Sequence, residues 1–169
     1  MLRNAADGGS LRACGLYGWL LQRPLEAITF DMALAVQYLQ RSVDGNDPPG
    51  ILALAVSREG GKLVGLQRAN PCDEDDAIFA CEAEARQPDA DPAVLVLLGM
   101  CYSDGYIVDQ DVVRGASLFE RASSQHFLLA CSSLAYCYEF GEGVAVDKDK
   151  SRALNLEGAN RGYVCVREL

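Results

Sequence analysis

Apolar residues in the second half of this chain fall in pairs four apart, and the pairs recur at a fixed distance. Leu98 and Tyr102 form one pair; Leu134 and Tyr138 form the next, 36 residues further on. The neighbouring positions repeat with them. Leu98-Gly99-x-x-Tyr102-x-x-Gly105-x-x-Val108-x-x-Asp111 returns as Leu134-Ala135-x-x-Tyr138-x-x-Gly141-x-x-Val144-x-x-Asp147. A spacing of four puts both large residues on one face of a helix, where they bury together. Self-similarity at a period of about 20–50 residues marks stacked repeats, each covering its apolar face with its neighbours. The pattern predicts an extended binding surface rather than a catalytic pocket.

The same reading extends backwards. Leu52 lies 46 residues before Leu98, and Leu16 lies 36 before Leu52. Apolar helices A are expected at Leu11–Leu21, Pro49–Arg58, Pro92–Ser103 and Phe127–Phe140. Each is followed by a turn and a helix B, at Asp31–Asp44, Asp73–Gln87, Asp111–Ser124 and Asp147–Arg161. The chain thus reads as one all-α domain over residues 1–169, a right-handed α-solenoid of about four helical hairpins. Their bounds are about 10–47, 48–91, 92–127 and 128–162, and residues 163–169 open a further helix. The ten extra residues of the second hairpin fall around Gly65 to Cys72. Breakers separate the hairpins, as in Gly45-Asn46-Asp47-Pro48-Pro49-Gly50 and Pro88-Asp89-Ala90-Asp91-Pro92. Asp91 before Pro92 reads as an N-cap with proline at the first helical position. Val94–Leu98 is short and branched enough for a strand, but the same register one repeat on, Ala130-Cys131-Ser132-Ser133-Leu134, is poor strand material.

Several positions have a direct physical reason. Gly99, and Ala135 in its place, are small enough to let the two helices of a hairpin approach closely. Gly105, Gly141 and Gly143 suit a tight turn at positive φ. Val108 and Val144 plug the hairpin base. Asp111 and Asp147 stand where a carboxylate accepts the orphan N–H groups of helix B. His126 stands where a glycine would end the third helix B, a left-handed position a histidine occupies less easily. Gly115 weakens helix B by up to about 1 kcal/mol relative to alanine.

Charge and chemistry narrow the function. The net charge is −9, which opposes binding to nucleic acid, since that affinity rests on Lys and Arg neutralising phosphates. Eight acids lie between Asp73 and Asp91, and they read as a solvated helix face. The longest apolar run near a helix, Ala93 to Tyr102, is about half the ~20 residues a membrane span requires. Arg12 inside the first apolar stretch argues against a secretory signal. The seven cysteines are odd in number and hold no C-x-x-C pair. They favour a reducing compartment, hence an intracellular, cytoplasmic protein. His126 is the one histidine, and no partner selects it for catalysis. The cysteines lack zinc-ligand spacing. Asp73-Glu74-Asp75-Asp76 lacks the alternating ligands and central glycine of a calcium loop. No metal and no cofactor is expected.

The arrangement resembles the Sel1-like repeat, a relative of the tetratricopeptide repeat. The fourth hairpin carries Ala130, Leu134, Tyr138, Gly141, Gly143, Val144, Asp147, Ala159 and Gly162 of that pattern; the third carries Leu98, Gly99, Tyr102, Gly105, Val108, Asp111 and Ala122. The first keeps Ile28-x-x-Asp31-x-x-x-Ala35-x-x-Tyr38, and the second is degenerate. Gly115 and Ser151 depart from the alanine of the pattern. The resemblance implies a non-enzymatic protein–protein interaction module, an adaptor. It also raises an alternative, since some cysteine-rich Sel1 proteins are linked to β-lactam binding or hydrolysis. In those, a cysteine late in helix B pairs with one eight residues on; here Ser123 and Cys131 occupy the two positions, so that framework is absent. A third reading is a purely structural domain.

A partner surface follows from the geometry of helix A. In a solenoid of hairpins the A helices line the concave side. Two residues rotate a helix by ~200°, so the residues two before and two after a core leucine lie opposite it. That singles out Val96 and Met100, then Ser132 and Tyr136, with Ser103 and Glu139 continuing the rows; Gly18 and Leu54 are the equivalents in the first two hairpins. The expected partner is another protein, without nucleic acid or membrane insertion. The uncovered C-terminal helix offers a route to self-association.

Overall fold

The structure, a computed structural model, describes residues 2–22, 30–59 and 74–161. The described residues form nine helices and no strand: α1 (Leu2–Asp7), α2 (Leu11–Leu20), α3 (Met32–Asp44), α4 (Pro48–Glu59), α5 (Glu74–Ala85), α6 (Pro92–Asp104), α7 (Val112–Ser124), α8 (Leu128–Phe140) and α9 (Lys148–Asn160). The molecule is all-α and built of solenoid-type hairpins, α2/α3, α4/α5, α6/α7 and α8/α9. The helices divide into two compact units, α1–α5 and α6–α9, whose sequence boundary lies between Gln87 and Pro88. The expected inserted stretch around Gly65 to Cys72, the residue Asp73 and the further helix over 163–169 lie outside the described residues.

The caps follow the sequence logic. Asp31, Asp111 and Asp147 are N-caps of α3, α7 and α9, accepting from the N–H groups of Leu34, Arg114 and Lys150. Their own N–H groups close the hairpins, donating to the carbonyls of Leu21 (3.3 Å), Tyr102 (2.8 Å) and Tyr138 (2.9 Å). Asp91 caps α6 through the Ala93 N–H at 2.9 Å. At the other helix ends, Gly105 and Gly141 adopt φ of 71° and 78°, and Gly143 adopts 73°. His126 adopts φ 60°, the left-handed conformation a glycine would supply, and Asn46 does the same at 63°.

In the unit of α1–α5, the first hairpin is shifted from the register that Leu16 suggests. A Cβ on Gly18 would strike the Ala35 carbonyl and Leu39, so Gly18 is the close-approach residue of α2, as Gly99 is of α6. Leu21 closes the hairpin where Tyr102 does later, and Tyr17 takes the place of Leu98. The cause is a connection one residue longer: Leu21 to Asp31 against Tyr102 to Asp111. Gly18 is therefore turned onto α3, and Leu54 is buried; neither continues an open row. The short helix α1 packs Ala6 and Leu2 onto Cys14, Tyr17, Leu21 and Tyr38, while Arg3, Asn4 and Asp7 stay exposed. Tyr38 donates a hydrogen bond to Asp7, which ties α1 to α3 and raises the Tyr38 pKa, burial adding to the effect. Further on, α2, α3 and α4 meet through small residues. A Cβ on Gly15 would lie 2.6 Å from the Gly50 Cα and 2.7 Å from the Ser42 Oγ. Asp47 holds this junction, accepting from Ser42 Oγ (3.1 Å) and the Gly50 N–H (3.0 Å).

The acidic α5 keeps Asp75 and Asp76 solvated, as its composition suggests, while other carboxylates of the helix are paired. Glu84 receives both Arg12 guanidinium nitrogens at 2.9 and 2.8 Å, and Glu74 pairs with Arg58 at 3.3 Å. Two of its carboxylates therefore fasten it to α2 and α4. A bidentate Arg–carboxylate pair is the geometry in which a surface ion pair contributes measurably.

In the unit of α6–α9, α6 packs on α7, α7 on α8, α8 on α9, and α6 touches α8. A Cβ on Gly99 would meet the Phe119 ring at 2.5 Å, so Gly99 sets how closely α6 and α7 approach. Cys101 and Cys137 are buried packing residues, and the carbonyl of each accepts the N–H groups that end its helix.

Candidate functional site

The surface built by α6 and α8 is the candidate site, because both helices end in left-handed glycine caps and carry the half-buried or exposed Met100, Tyr136 and Phe140 towards those ends. The structure places the six expected contact residues differently. Val96 is 1 % exposed: α6 is apolar on every side, and Ala93–Gly99 are all buried, so the row opens only at Met100. Ser103 is turned inward. Its Oγ lies over Gly115, where an added Cβ would strike it, and it is buried with no hydrogen-bond partner among the described residues. The missing side chain of Gly115 makes the room that this hydroxyl fills. Val96 thus belongs to the interior, and Ser103, half-buried as a residue, turns its hydroxyl inward.

Met100, Ser132, Tyr136 and Glu139 remain partly exposed. The Ser132 hydroxyl donates to the Leu129 carbonyl at 2.9 Å. Glu139 faces Lys148 at 3.9 Å. Tyr136 and Phe140 stack with ring centroids 4.6 Å apart and planes at 47°. Phe140 is 57 % exposed and was not foreseen; its signal was available, since it lies four residues after Tyr136 on the same helix face. Met100 and Tyr136 hold the same position one repeat apart, as do Asp104 and Phe140.

The opposite edge of each hairpin is occupied differently. Arg114 lies over the Tyr102 ring at 4.1 Å and Lys150 over the Tyr138 ring at 5.0 Å. Both cations come from the third residue after an N-cap aspartate, so one turn of helix B both caps itself and covers the repeat tyrosine. The Tyr138 hydroxyl donates to Glu120 at 2.9 Å; burial and that carboxylate raise its pKa.

The chemistry present is that of packing and contact. Burial, with Glu142 nearby, pushes the Cys137 thiol up to about 11, which keeps it protonated and un-nucleophilic at neutral pH. Cys14, Cys81, Cys101, Cys131 and Cys137 are each buried. His126 is exposed on the α7 cap with Glu157 3.7 Å from its Nδ1. Among the described residues, no cluster of His, Cys, Asp or Glu could hold a metal ion, and no helix is long and apolar enough to cross a membrane.

Comparison with known proteins decides the family. The Sel1 repeat pattern matches residues 12–47, 92–127 and 128–163, more than half of the chain. The chain belongs to the Sel1 repeat family. No curated protein matches it in sequence. Among solved structures, a protective antigen of uropathogenic Escherichia coli displaying an SLR fold is similar, with a TM-score of 0.53 and 21 % identity over 95 % of this Sel1 chain and 32 % of the antigen. A Sel1 repeat protein from Oxalobacter formigenes has a TM-score of 0.52 and 25 % identity over 96 % of this chain and 44 % of its own. This Sel1 chain spans a third to less than half the length of those proteins. Sel1 repeats are in general modules of protein–protein interaction.

Proposed function

We propose that this Sel1 chain is a non-catalytic adaptor that binds another protein through the A-helix face of α6 and α8. The observation that carries the reading is the Tyr136–Phe140 ring pair, with Phe140 exposed and Tyr136 half-buried, one repeat from Met100. Large aromatic and methionine side chains on a helical repeat are adaptable contact groups. Met100, Tyr136 and Glu139 are the contacts, with Ser132 at the rim. The acidic balance directs the module to protein rather than nucleic acid. Buried cysteines, odd in number and without a C-x-x-C pair, suit a reducing, intracellular compartment.

The test is a Met100→Glu, Tyr136→Glu double variant used beside the wild type as bait, with captured proteins quantified by mass spectrometry. The variant keeps its helical circular dichroism and loses the proteins specific to the wild type. Full retention of those proteins by a folded variant would overturn the assignment. The cysteine-rich hydrolase alternative is tested separately: hydrolysis of a β-lactam reporter by the purified chain would replace the adaptor reading.

A further inference from the structure

We propose that the face bearing Met100, Tyr136 and Phe140 takes a polypeptide segment in which a large apolar side chain lies beside lysine or arginine. The inference rests on the adaptor reading of that face and names the partner's chemistry.

The apolar half of the face is the Tyr136–Phe140 pair with Met100 one repeat away, on helices that touch each other. The charged half lies where those helices end. Asp104 is the last residue of α6; Glu139 lies one residue before the end of α8, and Glu142 two residues beyond it. The C-terminus of a helix is the negative end of its dipole, so carboxylates there oppose helix stability and bases favour it. Neither α6 nor α8 has a base in its last turn. The carboxylates also feel one another: burial and then Glu142 raise the Asp104 carboxyl, and both acids help to raise Cys137.

The bases on the neighbouring helices leave Asp104 and Glu142 unbridged. Arg114 and Lys150 lie on the Tyr102 and Tyr138 rings. Lys148 pairs with Glu139 at 3.9 Å, which leaves Asp104 and Glu142 as the acids of this end. Among the described residues, no base is bridged to Asp104 or Glu142. Two negative helix ends, with Asp104 ending α6 and Glu142 just beyond α8, therefore place unbridged negative charge beside the last turns that carry Met100, Tyr136 and Phe140. A partner cation there meets the dipole ends and carboxylates, gains a cation–π contact with Tyr136 or Phe140, and brings its apolar neighbour onto the rings. Charge of this kind selects the partner and speeds its encounter.

Selection of random displayed dodecapeptides on the intact chain tests the proposal. Enriched peptides are then measured, at low and high salt, against the wild type, Tyr136→Ala/Phe140→Ala and Asp104→Asn/Glu142→Gln. The expected peptides pair an aromatic or aliphatic residue with Lys or Arg. Both variants weaken their binding by about tenfold or more, the range of hot-spot losses, and salt weakens it further. Peptides without an excess of base, or binding unchanged by Asp104→Asn/Glu142→Gln, overturn the basic partner and leave the adaptor face standing. No enrichment, or binding indifferent to Tyr136→Ala/Phe140→Ala, overturns both. A concentration-dependent dimer in sedimentation that Tyr136→Ala/Phe140→Ala abolishes makes a second copy the occupant and also overturns the proposal. Circular dichroism confirms each variant's fold; should the double aromatic variant unfold, the exposed Phe140→Ser alone serves the same comparison.

Discussion

The hydroxyl of Ser123 lies 3.4 Å from the sulfur of Cys131, eight residues on and across the turn from α7 to α8. An eight-residue separation is the one at which some cysteine-rich Sel1 proteins join a helix B to the next helix A by a disulfide. The backbone here already presents the two side chains to each other, and one atom, oxygen for sulfur, decides whether they can bond.

Ser123→Cys is therefore expected to form a disulfide with Cys131 under mild oxidation. Closing so short a loop stabilises by about 2–3 kcal/mol in the chain-entropy account. Thiol counting by mass spectrometry should show two fewer free thiols than in the reduced variant, with a melting temperature that falls again on reduction. Two unreacted thiols after oxidation would show that the side chains are not so placed.

Gly115 and Ser103 are coupled in the opposite sense. Alanine has about 1 kcal/mol more helix propensity than glycine, yet a Cβ at 115 would strike the Ser103 Oγ and lie 3.0 Å from the Gly99 carbonyl. Gly115→Ala alone is expected to destabilise. Ser103→Ala removes a buried, unpaired hydroxyl and should stabilise by about 1 kcal/mol. In the Ser103→Ala background, Gly115→Ala should cost less by at least about 0.5 kcal/mol. Denaturant melts of the four proteins measure that coupling; additive effects would refute it.

Much of this was legible in the sequence, for reasons that lie in local chemistry. The period gave the hairpins; Asp111 and Asp147 had to cap, and Gly105, Gly141 and His126 had to turn left-handed, because each requirement is met within a few residues. What escaped depends on residues far apart. Leu16 misplaced the first hairpin because its connection is one residue longer, and the register shows itself in the close approach of Gly18 to Leu39. Ser103 pointed outward on a helical wheel, but the wheel does not show the space left by Gly115. Glu84 of α5 read as solvated because Arg12, which pairs with it, lies 72 residues away. The helix α1 escaped because six residues carry no period of their own.

The N-caps carry a measurable share of stability. Asp111→Ala and Asp147→Ala are each expected to cost about 1 kcal/mol, because each leaves an N–H group of α7 or α9 without its acceptor. Asn at either position should recover most of the loss. Thermal or urea melts check this, and an unchanged midpoint for both alanine variants would contradict the cap assignment.

Asp104 gives a pH signature. Its folded pKa is raised, chiefly by burial and then by Glu142. The folded state therefore holds this proton more tightly than the unfolded chain. The charged carboxylate is a penalty that is complete above the folded pKa and disappears as pH falls below the unfolded value, about 3.9. Asp104→Asn should stabilise the chain at pH 7, and its advantage should vanish in acid. An advantage independent of pH would place its cause elsewhere.

The central claim is that α6 and α8 present the binding face, and hydrogen exchange on a complex tests it most directly. The partner is a protein captured by the wild type and lost by Met100→Glu, Tyr136→Glu. On its addition, amides in the last turns of α6 and α8, around Met100 to Asp104 and Tyr136 to Phe140, should gain protection while those of α7 and α9 stay unchanged. New protection confined to α7 and α9, with α6 and α8 unaltered, would contradict the account.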